Sequence, residues 1–225
     1  RGPCAVLPIL NGLAHLERLD ARFGREQVLG GSCAVDVTLL PDGVVRHSGS
    51  LQRLVFGERD RQVTPRVAAL ADLLAATTID WELADDVVLR MWEKLVFLSV
   101  LAAMTCLFRG NVREIMAAPG ARGVVERALD LNVEIATREG YEPSASSTAF
   151  ARARLTDPTG TWSASMMRDL EAGKPVEGDH IVGWMLDRAN RHGLDHPLLS
   201  FAYTALKTYE RRRADGRLPG LQPGL

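Results

Sequence analysis

Three cysteines in 225 residues, Cys4, Cys33 and Cys106, are too few and too scattered for a disulfide framework, and no C-x-x-C pair is present to hold zinc. That usage fits a reducing compartment, so the cytoplasm is the expected location. Neither sign of charge is in excess: 28 acidic side chains stand against 27 basic ones, and no global field recruits nucleic acid or an anionic membrane. Long apolar runs are also missing. The longest, Leu95 to Phe108, falls short of the roughly 20 residues that cross a bilayer and is interrupted by Ser99 and Thr105, so it reads as a buried helix. G-x-G-x-x-G, P-loop and G-x-S-x-G are all absent, which removes the usual signs of a phosphate-cradling turn or a nucleophile elbow. The opening Arg-Gly-Pro-Cys has the layout of neither a signal peptide nor a targeting helix and reads as a sequence entered midway. Lysine is the scarcest charged residue: Lys94, Lys174 and Lys207 are the only three among 27 bases.

What is present is a globular composition. With 46% hydrophobic side chains and 20 glycines, the chain can bury one large core or two small ones, and it is neither a disordered tail nor a fibre. Residues 4 to 10 read as a strand, Asn11-Gly12 as a turn, and Leu13, Leu16, Leu19 and Phe23 as the apolar face of a helix. β-rich runs follow at 35–40 and 43–46, joined by the hairpin signal Pro41-Asp42-Gly43, with 53–57 expected as a third strand. A helix over 65–76 and a strand near 79–82 complete this part. After Ala84 the period-two alternation stops. Asp85 or Asp86 can cap a helix reaching Phe108, where Arg109-Gly110 ends it. Further helices are predicted over 112–118, 121–138, 147–155, 163–172, 176–192 and 197–213, with a frayed tail from Leu218. The fold class is therefore α/β followed by all-α, divided at residues 1–84 and 85–225. The first part reads as the back half of a larger parallel-sheet domain.

Few residues stand out as carriers of chemistry. Lys94 shares a helix face with Leu98, Leu101 and Thr105, within about 40° at 100° per residue. Desolvation there would draw an amine toward proton transfer; the alternative is a stem laid along apolar surface with its head in water. Ser165, in Ser163-Ala164-Ser165-Met166, falls at a helix start, where a hydroxyl beside open N–H groups suits a carboxylate or phosphate; an ordinary serine cap is the other reading. Glu177 opens the helix after Lys174-Pro175-Val176, either as a dipole partner or as an acceptor for a substrate hydroxyl that also orients a lysine. Asn11 is either a plain turn residue or an amide at the carboxyl edge of a sheet, where α/β folds bind ligands. His192 and His196 straddle a helix break, and no metal site is expected there. Cys106 reads as a small core residue.

Taken in order, Leu7-Pro8-Ile9-Leu10-Asn11-Gly12-Leu13, Trp92-Glu93-Lys94-Leu95, Ser165-Met166-Met167-Arg168-Asp169-Leu170-Glu171-Ala172-Gly173 and Glu177-Gly178-Asp179-His180-Ile181-Val182-Gly183 resemble the ketopantoate reductase (2-dehydropantoate 2-reductase) family over nearly the whole chain. The resemblance implies a Rossmann-type NADPH domain, of which residues 1–84 would be the C-terminal part, and a helical domain like that of 6-phosphogluconate dehydrogenase. It implies reduction of 2-dehydropantoate to pantoate, on the way to pantothenate and coenzyme A. Lys94 would be the general acid toward the carbonyl oxygen, with Glu177 its catalytic partner at the substrate hydroxyl. Ser165 would contact the substrate carboxylate, Leu98 and Asn11 would line the substrate pocket, and Asn11 and Glu177 would also meet the cofactor. An ammonium is a suitable donor to the alkoxide charge that hydride attack develops. Leu98, Ala102 and Trp162 stand where family members carry amides, so a different small 2-oxo acid is the alternative substrate. A reading from another class is a non-catalytic helical module that pairs with a partner or with itself. Self-association through the helical segment is expected from its many apolar positions.

Overall fold

The computed structural model describes residues 4–40 and 42–218. The chain divides into two compact units, Arg1–Met91 and Trp92–Leu225.

In the first unit the run 4–10 does not form the expected strand. A single parallel bridge joins Val6 to Val28, with Val6 N donating to Gln27 O at 2.8 Å and Leu29 N to Val6 O at 2.9 Å. Pro8 removes one of the donors that a longer ladder would need. Helix α1 (Ala14–Phe23) follows, then β1 (Gly30–Leu39) and β2 (Val45–Gly57) as an antiparallel hairpin in register from Gly30↔Gly57 to Leu39↔Val45. The turn is the predicted one: Asp42 Oδ1 accepts from Val44 N at 3.0 Å, and Gly43 takes φ +85°. Pro41 lies outside the described residues. The separate strand expected over 53–57 is instead the second half of β2, and the register shifts between Val35, which faces Gln52, and Val37, which faces His47. After α2 (Pro65–Ala75), β3 (Asp80–Leu83) pairs parallel with β2. The sheet is thus mixed, in the order β1-β2-β3, an antiparallel hairpin with one parallel strand beside it.

Leu29, Phe56 and Val67 centre this unit's core, walled by Leu7, Leu54, Leu70, Leu74 and Trp81. Two glycines permit its close approaches. A Cβ on Gly30 would lie 2.4 Å from Val87 Cγ1, and one on Gly31 would lie 2.5 Å from Pro8 O. A larger residue at either place would push the start of the next helix or the 4–10 segment off the sheet.

Helix α3 (Val87–Phe108) begins where Asp86 Oδ1 accepts from Leu89 N at 3.0 Å, as the capping signal predicts. It is long and apolar enough to cross a membrane by composition, yet 72% of that window is buried inside the protein. It ends at Arg109, a non-glycine residue at φ +57° whose N–H returns to Thr105 O at 2.9 Å.

The second unit is helical. It contains α4 (Val112–Met116), α5 (Ala121–Arg138), α6 (Ala145–Leu155), α7 (Ser165–Glu171), α8 (Trp184–Arg191) and α9 (Pro197–Ala214). A reciprocal Asn111/Glu114 capping box starts α4. Helix α5 buries Val125, Ala128, Leu129, Asn132, Ile135 and Ala136, the three-and-four spacing of one face. Each large aliphatic side chain so buried contributes about 1.5–3 kcal/mol. The single helix expected over 176–192 is interrupted: Asp179–Gly183 is a π-helical turn, closed by Gly183 N donating to Gly178 O at 2.9 Å. Of the tail expected from Leu218, Leu218 itself is not frayed but buried, and 219–225 lie outside the described residues.

Candidate active site

Lys94 sits near the start of the part of α3 that belongs to the helical unit, and it is half-buried. On its face Leu98 is also half-buried, while Leu101 and Thr105 are buried. The hydroxyls on this helix are used locally. Ser99 Oγ donates to Leu95 O at 2.6 Å and Thr105 Oγ1 to Leu101 O at 2.7 Å. Ala102, one position from the stripe, is 1% exposed. Beside Lys94, the Glu93 carboxylate is buried and accepts from Ser144 N at 3.0 Å and Ser144 Oγ at 2.6 Å, so it serves the start of α6.

A buried polar chain fixes the turn of α3 that carries the lysine. Asn132 Nδ2 donates to Val96 O at 3.1 Å and to Ser99 Oγ at 2.8 Å. Its Oδ1 is 3.0 Å from His196 Nε2, which is also 3.3 Å from Ala128 O. His196 Nδ1 accepts from Leu199 N at 3.3 Å and so caps α9. With Nδ1 an acceptor, Nε2 carries the proton. Burial pushes the His196 imidazole down to about 4, against the weaker upward pull of its Ala128 bond, so it stays neutral. One chain of contacts therefore locks α3, α5 and α9 at the level of Lys94.

Ser165 is the first residue of α7 and is exposed. The N-cap is Ala164, with no side-chain cap bond, so the serine-cap reading does not hold. Ala164 N donates to Thr105 Oγ1 at 3.4 Å, which seats the start of α7 on the same face of α3 as Lys94, about three turns further along. Glu177 is exposed, on the loop before the π-helical turn, and its carbonyl accepts from His180 N at 3.2 Å. Trp92, two residues before Lys94, packs on Trp184, the first residue of α8, with ring centroids 5.3 Å apart. That contact brings the lysine end of α3 to the helix that Glu177 leads into. Lys94, Leu98, Ser165 and Glu177 thus belong to one helical unit. Asn11 belongs to the other, exposed on the turn where Gly12 takes φ +79°.

Two cavities of the helical unit have linings that include none of these residues. One of about 630 Å³ lies between Phe108, Ile115 and Val124, and one of about 800 Å³ between Leu107, Leu170 and Tyr209. Cys106 is buried and its thiol is pushed up to about 12 by burial, so it is an inert core residue at neutral pH. The two histidines at the helix break part company: His192 pairs with Glu139 at 2.8 Å, while His196 turns into the core. Among the described residues no group of three or more His, Cys, Asp or Glu side chains could hold a metal ion.

Sequence reasoning missed the buried chain Ser99–Asn132–His196 and the Glu93–Ser144 pair, whose partners lie 33 to 64 residues apart. Only the polar Asn132 on an otherwise apolar face of α5 gave a signal. It also missed the packing of Trp162, whose ring lies 3.4 Å beneath the Arg154 guanidinium.

Comparison with known proteins places this arrangement. The family model described as "Ketopantoate reductase PanE/ApbA C terminal" matches residues 86–210, and that described as "Ketopantoate reductase PanE/ApbA" matches residues 1–61. The chain is 30% identical over 210 residues to the uncharacterized oxidoreductase YkpB of Bacillus subtilis, covering 92% of this chain and 69% of that protein. It is 28% identical to a 2-dehydropantoate 2-reductase of Archaeoglobus fulgidus, covering 84% of this chain but only 63% of the relative. In three dimensions it is similar to the crystal structure of 2-dehydropantoate 2-reductase from Geobacter metallireducens, with a TM-score of 0.79, 27% identity, and coverage of 91% of this chain and 68% of that one. The chain thus spans about two thirds of the length of these proteins. Lys94, Ser165 and Glu177 all fall inside the matched helical segment, and the chain belongs to the ketopantoate reductase family.

Proposed function

We propose that this protein is an NADPH-dependent reductase of a small 2-oxo acid, with 2-dehydropantoate the first candidate and pantoate its product, feeding pantothenate and coenzyme A synthesis in the cytoplasm. The observation that carries this reading is Lys94: one of only three lysines in the sequence, half-buried on an apolar face of a core helix whose turn is locked by buried hydrogen bonds. Residues 1–84 form the C-terminal part of the nucleotide-binding domain, and 85–225 the substrate-binding, catalytic domain.

The donor set in hand suits a nicotinamide at its edge. Asn11 offers an exposed amide, able both to donate and to accept, on a turn leading into a helix. Asn11 and Glu177 are the residues of this chain assigned to the cofactor, and bound NADPH supplies the hydride. Every other step belongs to side chains. The Lys94 ammonium gives its proton to the carbonyl oxygen as negative charge develops there, a contribution of about 10²–10⁴ in rate. Glu177 accepts from the substrate hydroxyl and orients the lysine, and Ser165 donates to the carboxylate. Leu98 lines the pocket one turn from Lys94.

One observation favours a second substrate. Leu98 and Ala102 give the lysine's side of α3 no hydrogen-bonding side chain one and two turns on, so an apolar 2-oxo acid fits that wall at least as well as a hydroxylated one. The test is NADPH oxidation by the full-length protein over a panel of small 2-oxo acids. Turnover with 2-dehydropantoate or an aliphatic analogue is the expected result, and no turnover with any member would refute the reading. Self-association through the helical unit, where Phe108, Val124, Phe150 and Phe201 are exposed, is checked by mass from light scattering; a monomer rejects it.

A further inference from the structure

Glu177 sits on the exposed stretch between Gly173 and Gly178, and an exposed carboxylate keeps one position only if the backbone beneath it is held. Helix α9 holds it on both flanks. On the incoming side, Tyr209 OH donates to Lys174 O at 2.8 Å and Arg213 Nε to Gly173 O at 2.9 Å. On the outgoing side, the Asp179 carboxylate accepts from Tyr203 OH at 2.8 Å and from Lys207 Nζ at 3.1 and 3.2 Å. Lys207 is itself held by Glu210 at 2.5 Å. Tyr203, Leu206, Lys207, Glu210 and Arg213 fall on one side of the helix, with Tyr209 at its edge.

Gly178 is buried against Leu206, where an added Cβ would make ordinary van der Waals contact. One glycine, at the other end of the π-helical turn, makes the grip close: a Cβ on Gly183 would lie 2.6 Å from the Tyr203 ring. The turn itself is an uncommon geometry that occurs frequently at functional sites. Its charged clamp has little to do with stability: the Asp179 and Lys207 side chains are 54% and 42% exposed, and ion pairs at such sites contribute about 0–1 kcal/mol. What the clamp does fix is direction. Residue 179 cannot shift without releasing three hydrogen bonds, and residue 177 is two positions away.

We propose that Asp179, gripped by Tyr203 and Lys207 of α9, is a positioning residue for Glu177. The proposal rests on the reading of Glu177 as the acceptor of a substrate hydroxyl. Lys207→Met and Asp179→Asn are made separately in the full-length protein, and KM for the 2-oxo acid and for NADPH are measured apart, together with the melting temperature. Expected are a rise of about three- to fivefold in KM for the 2-oxo acid, a change in KM for NADPH in the same direction because Glu177 also meets the cofactor, an unchanged melting temperature, and wild-type KM values in Lys207→Arg. A 2-oxo acid KM within twofold in both variants overturns the proposal, as does a rise that comes only with a falling melting temperature.

A second arm needs no substrate. Hydrogen exchange at the amides of residues 178–183 is expected to accelerate about three- to fivefold in Lys207→Met, while the amides of α5 keep their wild-type rates. Unchanged exchange at 178–183 overturns the clamp, whatever the activity. Accelerated exchange in a protein whose wild type turns over no 2-oxo acid would instead remove the substrate reading and leave the clamp standing.

Discussion

His196 gives the stability of this protein a specific dependence on pH. Its ring is 2% exposed, its Nδ1 caps α9, and its Nε2–H is spent on Asn132 and Ala128. A second proton would have to go on Nδ1, where it would face the Leu199 N–H and destroy the cap. Burial accordingly pushes the folded-state imidazole down to about 4, whereas in the unfolded chain it titrates near 6.5. Between those values the unfolded state holds a proton that the folded state does not, so stability rises with pH through the window and is complete above it. The shift corresponds to roughly 3 kcal/mol, since one pKa unit is about 1.4 kcal/mol. The perturbation is His196→Asn, which keeps a good N-cap acceptor but cannot titrate. Urea unfolding of wild type and variant is followed at pH 7.5, 6.0, 5.0 and 4.5. Surface carboxylates titrate alike in both chains and cancel in the difference. The wild-type advantage at pH 7.5 is expected to shrink by about 2–3 kcal/mol at pH 4.5. A difference that stays constant across the series would refute the buried, neutral histidine.

The other predictions concern single contacts. Asn132→Ala removes both donors to α3 and leaves the His196 Nε2–H and the Val96 carbonyl short of a partner, so a loss of about 3–4 kcal/mol in chemical unfolding is expected. Ser99→Ala combined with it should be clearly non-additive, by about 0.5 kcal/mol or more. Leu98→Asn puts an amide on the lysine's face of α3 and should shift kcat/KM about tenfold toward 2-dehydropantoate over an aliphatic 2-oxo acid, read as NADPH oxidation. The Arg66 guanidinium, with Thr64, holds the Glu58 carboxyl below its usual range even though burial opposes this. Glu58→Gln should therefore lower the melting temperature at pH 7, and the gap from wild type should close as the pH falls below about 4.

Much of the fold was legible because its signals are local. The Asp42-Gly43 turn, the Asp86 cap, the even three-and-four spacing along α5 and the Pro197 start of α9 are each written within a few residues. The strand expected over 4–10 fails for a non-local reason: a strand needs partners on its edge, and among the described residues only Val28 supplies one. Strands are expected at 43–46 and 53–57, and residues of both stretches pair with β1 as parts of one strand, with a register shift between Gln52 and His47. The helix expected over 176–192 is a π-helical turn and a shorter helix, and the ring of Tyr203, twenty residues on, lies against Gly183 at the junction, a contact that no local signal encodes. The candidate site divides the same way. Lys94 was legible as a rare lysine in an apolar helix. That Glu93 would be consumed by Ser144, and that His196 would turn inward to Asn132, follow from packing that no spacing rule encodes.

The most direct measurement for the account as a whole is the turnover of Lys94→Ala against wild type, with NADPH and a saturating 2-oxo acid, in full-length protein whose folding is verified by circular dichroism. If the Lys94 ammonium donates the proton to the carbonyl oxygen, kcat falls by about 10²–10⁴ while the dissociation constant for NADPH stays within a few fold. A kcat within a few fold of wild type would contradict the assignment.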